Sequence, residues 1–414
     1  MMNGPGRRLY LFFLINYFMQ GAIGVVYEPL DYLLKDQLGL TSGQAANFIA
    51  WMTFPLLLKP LFGLVTDFVP LWGYRRTPHL AAASLTAALA FFHLAAQGSY
   101  RYSVLLAFMV LTCLGMAFAD VVCGGLLVEG GKKPDRGGPY QALQIGALYL
   151  STVLSGLGGG WMAGHLSYQK IFAAAGCMPL VIAASAFMIR ENASRGASAK
   201  DRLRIWGFVR TRRFWALSLT ILLWNFYPFL GTAQFYYQSN VLKLSPMTIG
   251  WMIGIGSVAG LLGSAFFWRF CRDRDIYPLA SRAPAVMALV SLGFLFYFGP
   301  VSVGIVHVIY GFSSVFFRLA LFDLIMRACP TNAEGTFFAL FLTLFDIAMY
   351  GSNAVGGNLY DFLQGRLAAH GHNHQLAAAC LILIGALCTL ACRWTLPVYK
   401  EEEEPVLAAA AEAA

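Results

Sequence analysis

The sequence predicts an all-α membrane protein, with about twelve transmembrane helices in two pseudo-symmetric six-helix halves. Three observations predict it. Charged residues make up 12% of the chain and hydrophobic ones 58%, whereas soluble globular chains carry about 25% charge. Apolar stretches of about 18–25 residues recur along the whole length, each long enough to cross a bilayer as a helix. Lysine and arginine are also sided: with both termini on one face of the membrane, 22 of the 29 fall on that face. Five fall opposite (Lys35, Arg101, Lys170, Lys243 and Arg366) and two, Lys59 and Arg318, lie inside spans. The positive-inside rule then places both termini in the cytoplasm, on a multi-pass protein of the plasma (inner) membrane. The net charge of +9 is thus a topology signal and not the footprint of nucleic acid.

In order, the expected spans are 9–34, 43–67, 79–97, 102–129, 139–164, 169–189, 213–239, 246–270, 282–299, 301–328, 334–360 and 374–397, each boundary good to about 3 residues. The first lacks a small-residue cleavage site and contains Glu28 and Asp31, so it reads as a retained helix and not a signal peptide. The second carries Pro55 and Pro60 on either side of Lys59, which predicts a kink or local unwinding beside that cation. The longest polar interruption, 190–212, is rich in Arg, Lys, Ser and Ala and follows the sixth span. It divides the chain into an N-terminal half (1–189), a basic cytoplasmic linker, a C-terminal half (213–397) and an acidic, Ala-rich cytoplasmic tail (398–414).

An internal repeat supports the division. GPYQAL at 138–143 matches GTFFAL at 335–340, an offset of 197 that also maps Gly159–Gly160 onto Gly356–Gly357. LTS at 40–42 matches LSP at 244–246, an offset of 204, at the openings of the second and eighth spans. Two parallel six-helix halves joined by a basic linker are the plan of the major facilitator superfamily, whose transport path runs between the halves. The glycine-rich faces SGLGGGWMAG (155–164) and YGSNAVGG (350–357) let helices approach closely, either to slide or simply to pack.

Charge inside a membrane costs about 2.5–3.5 kcal/mol per residue and usually faces a cavity or a partner. Asp67, Glu129 and Asp361 lie near span ends, where headgroups solvate them. Lys59, Asp120, Arg318 and Asp346 lie two or more turns inside. Lys59 reads as a cationic anchor for an anionic substrate, or as a lysine snorkelling to the cytoplasmic interface about 12 Å away. Arg318 offers a guanidinium fork to a carboxylate or phosphate; Asp323, five residues on, is poorly spaced to pair with it. Asp120 and Asp346 suit a coupling proton, or the N–H pair of a 2-amino-pyrimidinone edge such as a pterin carries. The alternative for both is an ion pair with Lys59 or Arg318. Glu28 with Asp31, beside Pro29, forms a second acidic pair, either proton-coupling or lining a solvated outer vestibule. Trp224 and Tyr227, ahead of Pro228, are candidates to stack on a flat ring, though such residues more often pack or anchor at the interface.

The eight cysteines stand singly in or near apolar spans with no CxxC pair and read as small fillers. HGHNH at 370–374 has alternate histidines but no carboxylate or cysteine beside it, so it reads as a loop; no metal and no cofactor is expected. No nucleophile–base motif, HExxH, P-loop or sizeable soluble domain is visible, which excludes the common enzyme classes.

KPLFGLVTDFVPLWGYRRTPHL, from Lys59, resembles the signature of the folate–biopterin transporter family of the major facilitator superfamily. The matching positions are Lys59, Pro60, Phe62, Gly63, Asp67, Pro70, Gly73, Tyr74, Arg75, Arg76 and Pro78. Further similarity runs through ADVVCGGLLVE (119–129), through LQ at 143–144, which adds Gln144 to the candidates for substrate contact, and through CPTNAEGTFFAL (329–340). The chain departs from the family pattern at Leu56, where a tryptophan is common, at Gly124, where a second aspartate usually stands, and in lacking an asparagine near Asp346. The resemblance implies that Gly63, Asp67, Arg75 and Arg76 form a cytoplasmic gate. In it Asp67 meets the start of the eleventh helix near Glu334–Gly335, and the arginines pair with Glu129 or Glu334.

The expected function is therefore a secondary transporter, working as a monomer, that moves a small organic anion by alternating access with a co-transported proton. Folate or a pterin is the leading cargo, and a major facilitator transporter or exporter of another amphipathic metabolite or drug is the alternative. A membrane substrate sensor or membrane enzyme is the alternative from another class. Lys59 and Arg318 would hold substrate carboxylates; Asp120 and Asp346 would hold the ring or the proton.

Overall fold

The computed structural model describes residues 5–74, 76–131, 137–189, 210–271, 277–328, 334–367 and 373–401. Among them all regular structure is helical, apart from an isolated bridge between Leu71 and Tyr74. In chain order the α-helices are α1 (Pro5–Ala22), α2 (Tyr27–Tyr32), α3 (Ser42–Thr53), α4 (Lys59–Phe68), α5 (Thr77–Ala95), α6 (Tyr102–Gly131), α7 (Gly137–His165), α8 (Tyr168–Ser185), α9 (Arg212–Asn225), α10 (Thr232–Tyr236), α11 (Pro246–Cys271), α12 (Tyr277–Ser291), α13 (Pro300–Ala328), α14 (Glu334–Arg366) and α15 (Asn373–Glu401). Among the described residues, eight stretches are long and apolar enough to cross a membrane, from Arg8–Gln37 to Asn373–Leu396. Large apolar side chains such as Trp51, Leu89 and Phe187 stand exposed, a surface that lipid and not water satisfies.

Proline and glycine set the breaks. α3 loosens into a 3-10 turn over Phe54–Leu58, because Pro55 and Pro60 cannot donate to the helical ladder, and Lys59 becomes the first residue of the resumed helix α4. The seventh passage breaks after Asn225: Pro228 follows, and Gly231 takes φ +97°, a left-handed conformation that favours glycine, before α10 begins.

The chain forms two compact units. The first comprises Met1–Thr41, Phe48–Ala197 and Lys243–Ser257; the second comprises Ser42–Asn47, Ser198–Leu242 and Val258–Ala414. In the first, Phe12, Phe13 and Tyr17 of α1 pack with Leu80 of α5, Val122 of α6 and Tyr140 of α7. In the second, Phe214 and Ile221 of α9 pack with Phe317 and Leu321 of α13, Phe341 of α14 and Leu396 of α15.

Among the close glycine contacts of the described residues, one in each unit joins the two sequence repeats. In the first, Gly160 of α7 lies against the opening of α11: a Cβ there would fall 2.6 Å from the Pro246 carbonyl oxygen and 2.9 Å from Gly250 Cα. In the second, Gly357 of α14 lies against the opening of α3: a Cβ there would fall 2.6 Å from the Ser42 carbonyl oxygen, hard against Ala46. Gly160 and Gly357 are equivalent at offset 197, and Pro246 and Ser42 at offset 204. The two repeats found in the sequence thus meet each other in space, once in each unit.

Candidate functional site

In the first unit the break at Pro55–Pro60 delivers Lys59 to α6, where its Nζ lies 3.1 Å from Asp120 Oδ2. The lysine side chain is 14% exposed and the aspartate 37% exposed, so the pair is sheltered on one side and open on the other. Lys59 turns to this carboxylate and does not run out along its helix toward headgroups, as snorkelling requires. Aromatic contacts fix the helices that carry the pair. Phe62 of α4 and His79 of α5 both pack on Phe118 of α6, with ring centroids 5.0 and 5.8 Å away.

Beside this pair α1 presents uncharged polar groups that sequence reasoning missed. Asn16, fully buried, donates from Nδ2 to the Phe12 carbonyl and to Ser185 Oγ, both at 2.8 Å, and accepts from Cys123 Sγ at 3.4 Å. The Tyr17 hydroxyl is buried with no hydrogen-bond partner among the described residues, and the Gln20 carboxamide reaches the Cys123 thiol. Their signal in the sequence was faint: polar side chains on one turn of an otherwise apolar helix, without charge to mark them. Cys123 is more than a filler, since its thiol donates to Asn16.

Glu28, on α2, is 6% exposed, and neither of its carboxyl oxygens has a hydrogen-bond partner among the described residues. A solvated vestibule does not describe this group. It is walled in because Gly159 of α7 lets the two helices close: a Cβ at Gly159 would lie 3.0 Å from the Val25 carbonyl and 3.6 Å from Glu28 Cβ. Asp31 is half-buried one turn on, and Gln144 is half-buried on α7.

Of the expected gate, Arg75 and the side chains of Asp67, Glu129 and Glu334 lie outside the described residues. Arg76 is described and is 6% exposed; its Nη1 donates to Thr66 Oγ1 at 2.9 Å, and Thr66 in turn donates to the Gly63 carbonyl at 2.9 Å. The guanidinium lies on Gly125 of α6, where a Cβ would come within 2.7 Å of Cζ. A glycine after Gly124 thus seats the arginine inside the first unit.

The second unit treats its candidates differently. Arg318 of α13 is exposed, sits 5.7 Å above the Phe322 ring and makes no ion pair among the described residues. Asp346 of α14 is half-buried; the side chain of Asp323 lies outside the described residues. Trp224 packs on Phe317 with centroids 4.1 Å apart, as part of the core. Tyr227 is 4% exposed, and its hydroxyl donates to the Ser291 carbonyl at 3.0 Å. Both aromatics are occupied by packing, the bland reading of such residues. Of HGHNH only the end is described: His374 Nδ1 lies 3.5 Å from the Tyr360 hydroxyl.

An ion pair inside the spans of a chain whose described residues are helical and expose large apolar side chains fits one class, a multi-pass membrane transporter of the major facilitator fold. Solved structures agree on that fold. A chain from work on proton dependent oligopeptide transporters gives a TM-score of 0.72 at 14% identity, covering 96% of this chain and 100% of that one. The nucleoside transporter NupG gives 0.71 at 11% identity, covering 94% and 98%, and the D-xylose-proton symporter 0.67 at 14%, covering 92% and 95%. The profile of the BT1 family matches residues 20–398, and the chain belongs to that family. Similar relatives include the folate-biopterin transporter of Synechocystis sp., 28% identical over 381 residues that span 87% of this chain and 76% of that one. Folate transporter 2 of Plasmodium falciparum is 26% identical over 340 residues, 76% of this chain and 72% of that one. The family and these relatives are transporters and not enzymes.

Proposed function

We propose that this protein carries folate or a pterin across the plasma (inner) membrane by alternating access, coupled to protons, as a monomer with both termini in the cytoplasm. One observation carries the reading: the half-open ion pair of Lys59 and Asp120 at helix depth. A folate offers carboxylates at one end and a 2-amino-pyrimidinone edge at the other. A substrate carboxylate can take the Lys59 ammonium from Asp120, or the paired N–H groups of the ring can dock on Asp120; because the two side chains touch, one end of the ligand occupies this pair. Arg318, open in the second unit, engages a carboxylate as a bidentate fork, and Asp346 is its unit's candidate for the ring or the proton. The names of the family relatives support this cargo.

Glu28 is the best-supported carrier of the coupling proton. A carboxylate buried without a partner is costly, and a bound proton removes the cost. Asp120 is engaged by Lys59 at 3.1 Å and is the less suited of the two to carry the coupling proton. The basic bias of 22 Lys and Arg among 29 supports cytoplasmic termini. The remaining gate residues, Asp67, Arg75, Glu129 and Glu334, would fasten the cytoplasmic face as the resemblance implies, with Arg76 and Gly63 as their described support.

The reading is tested by uptake of labelled folate into vesicles holding the purified protein, with and without an inward proton gradient. Accumulation that rises with the gradient is expected. No uptake in either condition, from protein shown to be folded, would overturn the folate assignment and leave another amphipathic anion as the cargo.

A further inference from the structure

The two glycine crossings are alike in packing and unlike in polarity. At the crossing in the second unit, the backbone N–H of Gly43 donates to Asp361 Oδ2 at 2.7 Å. One turn along, Asn47 and Asn358 exchange amide hydrogen bonds of 3.2 and 2.8 Å. Offsets of 204 and 197 give the equivalents of these four residues in the first unit: Met247 for Gly43, Trp251 for Asn47, Trp161 for Asn358 and Gly164 for Asp361. None of the four carries a charge or a carboxamide. Since Gly160 closes on Pro246 as tightly as Gly357 closes on Ser42, the crossing itself needs no polar tie.

The chemistry of the tie is specific. Gly43 stands in the first turn of α3, where backbone N–H groups have no acceptor in their own helix and the helix end is positive. Asp361 supplies an anionic acceptor there. Glycine is needed at 43 for the approach: a Cβ would lie 2.8 Å from Asn358 Oδ1 and 3.0 Å from Asn358 Cα. The asparagine pair is exposed and Asp361 half-buried, so water can replace each bond as it breaks. The glycine contact beneath is buried and has no such substitute.

We propose that Asp361, Asn47 and Asn358 form a reversible latch on the face opposite the termini, made and broken in each transport cycle, and that the close contact of Gly357 with Ser42 and Ala46 opens only when the latch has been released. It rests on transport by alternating access and not on which cargo is carried. Sequence reasoning had left Asp361 to headgroup solvation; the structure gives it a backbone partner on another helix.

The test uses full-length protein in detergent, in a cysteine-free background that retains transport, with Ser42→Cys as a near-isosteric reporter at a position 1% exposed. Maleimide labelling without substrate reads how often the latch opens, whatever the cargo proves to be. Asp361→Ala is expected to raise the labelling rate about tenfold, the shift expected for one lost charge-assisted hydrogen bond. Asp361→Asn, which keeps an acceptor, should raise it less. The thermal unfolding midpoint should stay near that of the parent, which separates a latch from a structural anchor. If Asp361→Ala does not fold, the pair Asn47→Ala with Asn358→Ala makes the same prediction. A disulfide between Asn47→Cys and Asn358→Cys should stop uptake, and reductant should restore it. Labelling unchanged in the folded variants, or full transport by the cross-linked protein, would overturn the proposal.

Discussion

Lys59 in the first unit and Arg318 in the second lie well inside spans, and the two units keep these cations differently. Lys59 is neutralised in place by Asp120 at 3.1 Å, whereas Arg318 stands exposed over the face of Phe322 with no ion pair among the described residues. The contrast separates two ways of receiving an anion. An open guanidinium binds a carboxylate without first giving anything up. A paired ammonium must exchange one carboxylate for another, so the net gain is small and the exchange releases a group that can then do further work. On the proposed function, the first unit responds to substrate and the second meets it.

The sharpest way to break this contrast is to remove each cation. Lys59→Ala strips Asp120 of its counter-charge, and breaking a buried pair from one side costs about 3–5 kcal/mol. Because Asp120 is more than one-third exposed, solvent screening brings the expected loss to about 1–2 kcal/mol. The unfolding midpoint should fall and apparent substrate affinity should drop about tenfold or more. Adding Asp120→Asn should restore the midpoint without restoring affinity. Arg318→Ala should lower affinity by a similar factor but leave the midpoint within error, since no ion pair is lost. A matching fall in stability for both variants would erase the distinction between them.

Smaller effects sharpen the account. Glu28→Gln keeps the shape of a protonated carboxyl and cannot release the proton. Uptake should persist but lose its stimulation by an inward proton gradient, which paired uptake measurements with and without the gradient will read. Undiminished stimulation would assign the proton elsewhere, with Asp346 next to be substituted. Gly125→Ala puts a methyl group under the Arg76 guanidinium. The side-chain end can shift, so stability should change by about 1 kcal/mol or less, and the effect should show in the maximal rate of uptake before it shows in affinity.

Much of the fold was legible in the sequence, because hydropathy and charge bias follow from the bilayer and not from tertiary detail. Pro55 and Pro60 announced the break that aims Lys59, and both halves of the Lys59–Asp120 pair were named. Their pairing was only one of several options, since spacing along the chain does not say which helix faces which. For Glu28 the sequence left a proton-coupling role and a solvated vestibule both open for the same reason, and its burial, with Gly159 of a distant helix close against it, favours the first. Asn16, Tyr17 and Gln20 went unmarked because charge was the filter for polar residues at depth. The repeat offsets of 197 and 204 were visible, but that the two repeats touch each other became visible only in three dimensions.

The central claim is that the Lys59–Asp120 pair is the site of anion exchange. It is tested most directly by the apparent affinity for labelled folate in vesicle uptake, measured for the parent and for Lys59→Ala under the same proton gradient. The account predicts saturable uptake by the parent and an affinity weaker by about tenfold or more in the variant. An unchanged affinity in folded Lys59→Ala would contradict it.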